Sequence, residues 1–318
     1  MPRVSIIIPV YNGDRFIIEA INSVLRQTYQ DYEIIVVDDG STDRTRQVLE
    51  PYRDKIRYFY QENQGSAVAR NLVIQEAQGE LIAFLDADDF WLLPEKLAEQ
   101  VNCFEQNSSL GSVHTGWQIV NHKGDKIINV APWHNIPDLS LESWLMHKPV
   151  LTSGMIIRQN WLEKVGGFDG ELQQSHDVDL VLRLALIGCK AAWWPQIAVG
   201  YRQHNGNATR NSQIQGECLT KVLDNFFSRC DLPEYIRGIE SKVRYYTLVW
   251  LAWYQYYQGC YKQMAQFLNQ SLQYTSYYKA ETISDWVAQF SKFSAERCYD
   301  FDISLLTDLL EWQRLILR

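Results

Sequence analysis

The chain has 318 residues, 46% of them apolar and 21% charged, with a formal net charge of −8. That balance fits a globular protein with ample core and excludes a basic nucleic-acid scaffold, so no nucleic-acid partner is expected. Six cysteines (Cys103, Cys189, Cys218, Cys230, Cys260 and Cys298) are scattered without a CxxC pair or zinc spacing, which reads as reduced thiols in a cytoplasmic protein.

MPRVSIIIPV enters a strand-like run at once, without the apolar length of a signal peptide. Val4–Val10 is a largely β-branched run without a charge, as expected of a strand buried on both faces. Phe16–Arg26 carries Ile17, Ile21, Val24 and Leu25 at helical spacing. Glu33–Val37 predicts a second strand, followed by a helix capped by Ser41 or Thr42 and running to about Tyr52. Ile56–Tyr60 predicts a third strand, Ser66–Ala77 a helix stopped by Gly79, and Leu81–Leu85 a fourth strand. Pro94 is expected to start the next helix.

From 107 to 150 the pattern weakens to short strand-like pieces and a loop around Pro132–Pro137. Met155–Arg158 then reads as a strand, Asn160–Val165 as a short helix, GGFDGEL (166–172) as a loop and HDVDLVLRLALIG (176–188) as a helix. From about 211 the chain is helical and aromatic-rich. AWYQYYQGCYKQMAQFL (252–268) resembles the middle of one tetratricopeptide repeat, without a second copy. The uncharged stretch Tyr245–Tyr261 falls short of a membrane-spanning helix. The expected arrangement of that tail is a helical hairpin packing its aromatic face on the preceding domain. The sharper alternative is a peripheral membrane or protein contact through residues 211–318 at the cytoplasmic face.

Strands alternating with helices imply a mainly parallel sheet, which binds ligands beyond the carboxyl ends of its strands. Tyr11 and Asn12 follow the first strand, Asp38 and Asp39 the second, and AFLDADDFW (83–91) the fourth, with Asp86, Asp88 and Asp89 crowded together. No P-loop or Gly-rich turn is present, so a nucleotide diphosphate would need a cation, and Asp86 and Asp88 offer hard oxygen ligands to Mg2+ or Mn2+. Crowded aspartates held by an ion should be loose without it. Asp89 is assigned instead to cap the next segment. Asp177 and Asp179 open a helix whose dipole favours their ionised forms, and Asp177 suits proton acceptance from a hydroxyl. Asp179 reads as structural. Arg70 and Asn71 read equally as nucleotide-pocket support or as helix surface.

VSIIIPVYN, VVDDGSTD, ENQGSAVARN, LDADD, GGFD and HDVDLVLRL resemble, in order, the motifs of the family 2 glycosyltransferases, which have the GT-A fold. The resemblance covers roughly residues 3–206. It implies an α/β, Rossmann-like, mainly parallel mixed sheet flanked by helices, with a C-terminal helical extension. Residues 1–106 would form the nucleotide-sugar-binding half, 107–210 the acceptor-binding half and 211–318 the extension. It further implies that Asp39 recognises the nucleotide base, that Pro9 and Tyr11 form the wall of that pocket, and that Asp38 contacts base or ribose. By the same resemblance, Asp86 lies near ribose or metal, Asp88 is the metal ligand and Asp177 the catalytic base. His176 stands where the family usually has glutamate. In YRQHNGNATR (201–210), His204 is a candidate for metal, diphosphate or acceptor contact. The implied reaction is inverting transfer from a nucleotide-sugar, a UDP-sugar first, to a hydroxyl on a glycan, lipid-linked glycan or protein. The rival readings are a nucleotidyltransferase, which would show a Gly-rich, Arg-containing loop where PVYNGD stands, a non-catalytic nucleotide- or sugar-binding module, and a scaffold acting through the aromatic tail.

Overall fold

The structure is a computed structural model and describes residues 1–207, 212–276, 278–297 and 299–317. The chain divides into two compact units, Met1–Asn207 and Ala208–Arg318.

The first unit is built on a nine-stranded mixed sheet among the described residues. Strand β1 (Val4–Val10) is buried at all seven positions, because alternate side chains enter cores on opposite faces of the sheet. Val4, Ile6, Ile8 and Val10 pack with helix α1 (Ile17–Leu25), whereas Ile7 joins Ile35 and Val37 of β2 (Tyr32–Asp39) on the other side. Helix α2 (Thr45–Leu49) leads to β3 (Arg57–Gln61), and α3 (Ser66–Ile74) leads to β4 (Leu81–Phe84). The sheet continues through the short β5 (Phe90–Trp91), α4 (Lys96–Gln106), β6 (Leu110–Val120), β7 (Lys126–Val130), α5 (Leu141–His147) and β8 (Ile156–Arg158). Helices α6 (Gln159–Val165) and α7 (His176–Leu186) and the thirteen-residue β9 (Lys190–Arg202) complete it.

The strand order is β3-β2-β1-β4-β8-β6-β9-β5, with β7 beside β6. β1 to β4 run parallel, β8 is antiparallel to both β4 and β6, and β9 is parallel to β6. β6 and β9 therefore point the same way as β4. The carboxyl ends of β1, β2, β4 and β9 share one edge.

Several local expectations need correction. The second helix does run to Tyr52, as α2 followed by a 3-10 turn (Glu50–Tyr52), but neither Ser41 nor Thr42 caps it: α2 starts at Thr45, whose N–H donates to Asp43, and Ser41 and Thr42 bind Asn12 instead. Gly79 is not a helix stop, because α3 already ends at Ile74. Its N–H donates to Ser5 Oγ, and a Cβ there would lie 2.5 Å from the Ser5 nitrogen, so close packing on β1 is what requires glycine. α4 begins at Lys96, two residues after Pro94. Asp89 does not cap it and is buried. The region 107–150 holds the eleven-residue β6 and helix α5, capped by Ser140.

The second unit is helical: α8 (Ser212–Phe227), α9 (Glu234–Arg237), α10 (Glu240–Tyr257), α11 (Tyr261–Ser271), α12 (Lys279–Glu296), α13 (Ile303–Thr307) and α14 (Leu310–Leu317). The aromatic stripe of α10 serves this unit's own core, with Tyr245 and Trp253 packing among Met264, Leu268, Trp286, Phe290 and Trp312. No helix among the described residues is long and apolar enough to cross a membrane.

Candidate active site

At the end of β1, Asn12 adopts a left-handed conformation (φ 51°) and laces the first loop to the second. Its N–H donates to Ser41 Oγ at 2.9 Å, while its side-chain oxygen accepts from the Thr42 and Asp43 amides. Gly13 donates to Thr45 Oγ1 in the same seam. Pro9 is buried within β1, and Tyr11 beyond it is 53% exposed.

Asp38 and Asp39 close β2 with different duties. Asp38 accepts from Ser41 N–H at 2.8 Å and from Tyr58 Oη at 2.7 Å, so both of its oxygens are engaged within the protein. Burial and the adjoining Asp38 carboxylate push the Tyr58 phenol up and keep it protonated. Asp39, 3% exposed, accepts from Gln61 Nε2 and the Gln64 amide on Oδ1 and from the Gly65 amide on Oδ2. A carboxylate offers about four lone-pair sites. Three protein donors leave room for one ligand N–H at Asp39.

The crowded aspartates after β4 diverge into three separate sets of partners. Asp86 is ion-paired to the Arg70 guanidinium. Asp88 Oδ2 meets His204 Nε2 at 3.0 Å and Asn207 Nδ2 at 3.2 Å. Asp89 accepts from Ser153 Oγ at 2.6 Å and from the Arg202 amide at 3.0 Å. Burial, with Asp88 and Asp86 adding, lifts the Asp89 carboxyl well above its ordinary range. Burial also lifts Asp86, with Arg70 opposing. The expectation of a loose cluster without an ion is thus corrected, because each carboxyl has its own protein partners. Arg202 is the residue the sequence reading missed here. Its buried guanidinium donates to the Asp88 and His122 carbonyls, pairs with Glu19 and lies over the Phe16 and Phe90 rings, which carries the His204 segment to Asp88. Positions 208–210 of the YRQHNGNATR segment lie outside the described residues.

Helix α7 brings the last group. Ser175 before it is left-handed (φ 59°), one of three non-glycine residues with positive φ among the described residues, and two of the three flank this site. Asp177 Oδ1 accepts from the Val178 amide at 2.8 Å. Burial pushes its carboxyl up. Arg70 opposes and Asp86 adds, which puts all three in one electrostatic neighbourhood. His176 Nε2 lies 2.8 Å from Arg70 Nη1. An arginine only donates, so Nε2 is the acceptor and the ring proton sits on Nδ1. Burial, then the Arg70 charge, lowers the His176 pKa to about 3. Asp179 pairs with Arg183 one turn on, a structural role.

The helix-surface reading of Arg70 is corrected by its burial, and Asn71 is tied to a distant loop. Arg70, 2% exposed, bridges Asp86 and His176 beneath the Phe168 ring. Asn71 binds the backbone of Phe168 in both directions, at 2.7 and 2.8 Å.

A divalent cation was expected at Asp88, Asp86 and His204. The described residues hold no cluster of three or more His, Cys, Asp or Glu side chains arranged for a metal ion. A cation arriving with a diphosphate needs only one or two carboxylates beside the phosphate oxygens. The 3.0 Å between Asp88 Oδ2 and His204 Nε2 matches two adjacent octahedral ligands, each about 2.1 Å from the ion. The Asp88 carboxylate fits, and the spacing suits His204 once its ring proton moves from Nε2 to Nδ1, whereas Asp86 is committed to Arg70.

Comparison with known proteins bears on the family and the fold. The family model described as glycosyl transferase family 2 matches residues 5–163. An uncharacterised glycosyltransferase of Rickettsia typhi is 33% identical over 240 residues, covering 74% of each chain. Among solved structures, S. aureus TarS residues 1–349 in complex with UDP-GlcNAc aligns at a TM-score of 0.63 and 20% identity, over 86% of this chain and 81% of that one. A mannosyltransferase, PcManGT of Pyrobaculum calidifontis, in complex with GDP-Man and Mn2+, aligns at 0.62 and 19%, over 94% and 84%. At such identities the likeness establishes the fold, which is of the GT-A type.

Proposed function

The chain belongs to glycosyl transferase family 2, and we propose that it moves a sugar from a UDP-sugar to an acceptor hydroxyl with inversion, assisted by a divalent cation. The carrying observation is the convergence on one sheet edge of Asp39 with a spare lone pair, the Asp88–His204 pair, and Asp177 beside Arg70 and Asp86. Asp39 would accept an imide N–H of the base, with the exposed Tyr11 ring as its stacking surface. Asp88 and His204 would hold Mn2+ or Mg2+. That ion supplies charge neutralisation for the departing diphosphate.

Asp177 would take the proton of the acceptor hydroxyl as its oxygen bonds to the anomeric carbon. The bond to the diphosphate breaks with its electron pair leaving on phosphate oxygen. A single displacement of this kind inverts the anomeric centre. The raised pKa of Asp177 suits a proton acceptor. The acceptor is proposed to be a glycan, lipid-linked glycan or protein hydroxyl in glycoconjugate or polysaccharide synthesis.

The test is a screen of sugar nucleotides with Mn2+ or Mg2+, reading nucleotide diphosphate release. Asp177→Asn is expected to keep UDP binding and lose transfer by about 10²- to 10⁴-fold, the range of a positioned base. Unchanged turnover would remove Asp177 from the role.

A further inference from the structure

Asn71 of the ARN motif on α3 reaches the loop that feeds α7. Asn71 Nδ2 donates to the Phe168 carbonyl at 2.7 Å, and the Phe168 amide donates back to Asn71 Oδ1 at 2.8 Å. This pairing mimics one rung of a sheet between a side chain and a backbone 97 residues away. Gly167 precedes it with φ +74°, and a side chain there would overlap Asn71 Oδ1. The Phe168 ring lies edge-on to the His176 ring at 5.5 Å and to Phe84 at 5.3 Å. From the other end, Arg183 of α7 donates to the Val165 and Gly167 carbonyls at 2.7 and 2.8 Å. The segment between α6 and α7 is therefore clamped by one side chain from α3 and one from α7.

We propose that Asn71 is a positioning residue: by fixing the Gly167–Phe168 backbone it sets the His176–Asp177 end of α7 against the Arg70–Asp86 pair. The inference rests on the reading of Asp177 as the base. Asn71 touches neither Asp38, Asp39 nor Asp88, so nucleotide binding should not depend on it. A displacement of the base by a fraction of an ångström should lower turnover.

The test compares wild type, Asn71→Ala and Gly167→Ala by kcat, donor KM, calorimetric UDP affinity and hydrogen exchange. The expected result is a kcat about tenfold to a hundredfold lower, with UDP affinity unchanged and faster amide exchange across 166–177. A kcat equal to wild type despite faster exchange overturns the proposal. So does a parallel loss of UDP affinity, which marks a general structural role. If Asn71→Ala does not fold, Asn71→Asp, which keeps the acceptor for the Phe168 amide, is read by the same criteria. If the wild type transfers no sugar, the proposed function fails on its own, and unchanged exchange at 166–177 in the variants then rejects the Asn71 clamp separately.

Discussion

Asp88 places one oxygen between His204 Nε2 and Asn207 Nδ2, and Gly206 N–H donates to His204 Nδ1 at 3.1 Å. With Nδ1 accepting, the imidazole proton sits on Nε2 and points at Asp88. For Nε2 to ligate a cation the ring proton must move to Nδ1 and the Gly206 contact must open, with the ion beside the Asp88–His204 line rather than on it. Asp88→Ala and His204→Ala are each expected to weaken Mn2+ binding to the UDP-saturated protein by about tenfold or more, as ligand-shell losses do. Manganese EPR titration reads this without turnover. Unaltered affinity in both would move the cation elsewhere. The same residue scale shows what the motifs could and could not convey. The aspartates were legible because they cluster after an apolar strand. Arg202, Ser153 and Asn207 were not, since their meaning lies in partners far along the chain, such as Arg202 with Glu19 183 positions away. Ser153 Oγ accepts from the Asp86 amide and donates to Asp89, so Ser153→Ala strands two buried groups. It is expected to cost about 1–3 kcal/mol in urea unfolding.

At the scale of elements, β1, β2 and β4 announced themselves as short apolar runs between turn residues. β6 and β9 did not. β9 contains Pro195 and Gly200, residues that argue against a strand interior. The register explains how the strand survives: His114 pairs with Trp193 and Gly116 with Ile197, so Pro195 sits in a bulge where no ladder N–H is needed. The first turn of α4 carries a cost that sequence also hides. Lys96 is fully buried, bonded to Gln100 Oε1 at 2.7 Å and 4.1 Å from the Trp91 ring centre. Burial drives its pKa down to about 7, against about 10.4 in an unfolded chain. Between those values the unfolded state holds a proton that the folded state lacks, so this group makes stability rise with pH from about 7 to 10. Below pH 7 its penalty is present in full. Lys96→Met keeps the volume and removes the charge. The stability gap between wild type and variant is therefore expected to shrink from pH 7 to pH 9 in urea titrations, and a constant gap would mean that Lys96 stays protonated in the folded protein across that range.

On the scale of the whole molecule, the two units have separate cores. The second is held by large rings, with Trp286 and Trp312 edge-on at 6.1 Å and Trp253 donating to Ser294 Oγ at 2.9 Å. Trp286→Ala is expected to cost about 3–5 kcal/mol, the usual range for a buried tryptophan. Calorimetry that showed no loss would mean the ring is dispensable to that core. Aromatic spacing in α10 made a buried stripe readable, but not which helices would cover it, because the α12 and α14 rings that pack on it lie much further along the chain. The first unit rests on the claim that the donor-side carboxylates and Asp177 act on one sugar at one sheet edge. The most direct measurement is proton NMR of the transfer product formed from a UDP-sugar, an acceptor and Mn2+, comparing wild type with Asp177→Asn. The expected result is a product of inverted anomeric configuration formed in step with UDP, and loss of that product in the variant while UDP still binds. Retained configuration, or full transfer by Asp177→Asn, would contradict it.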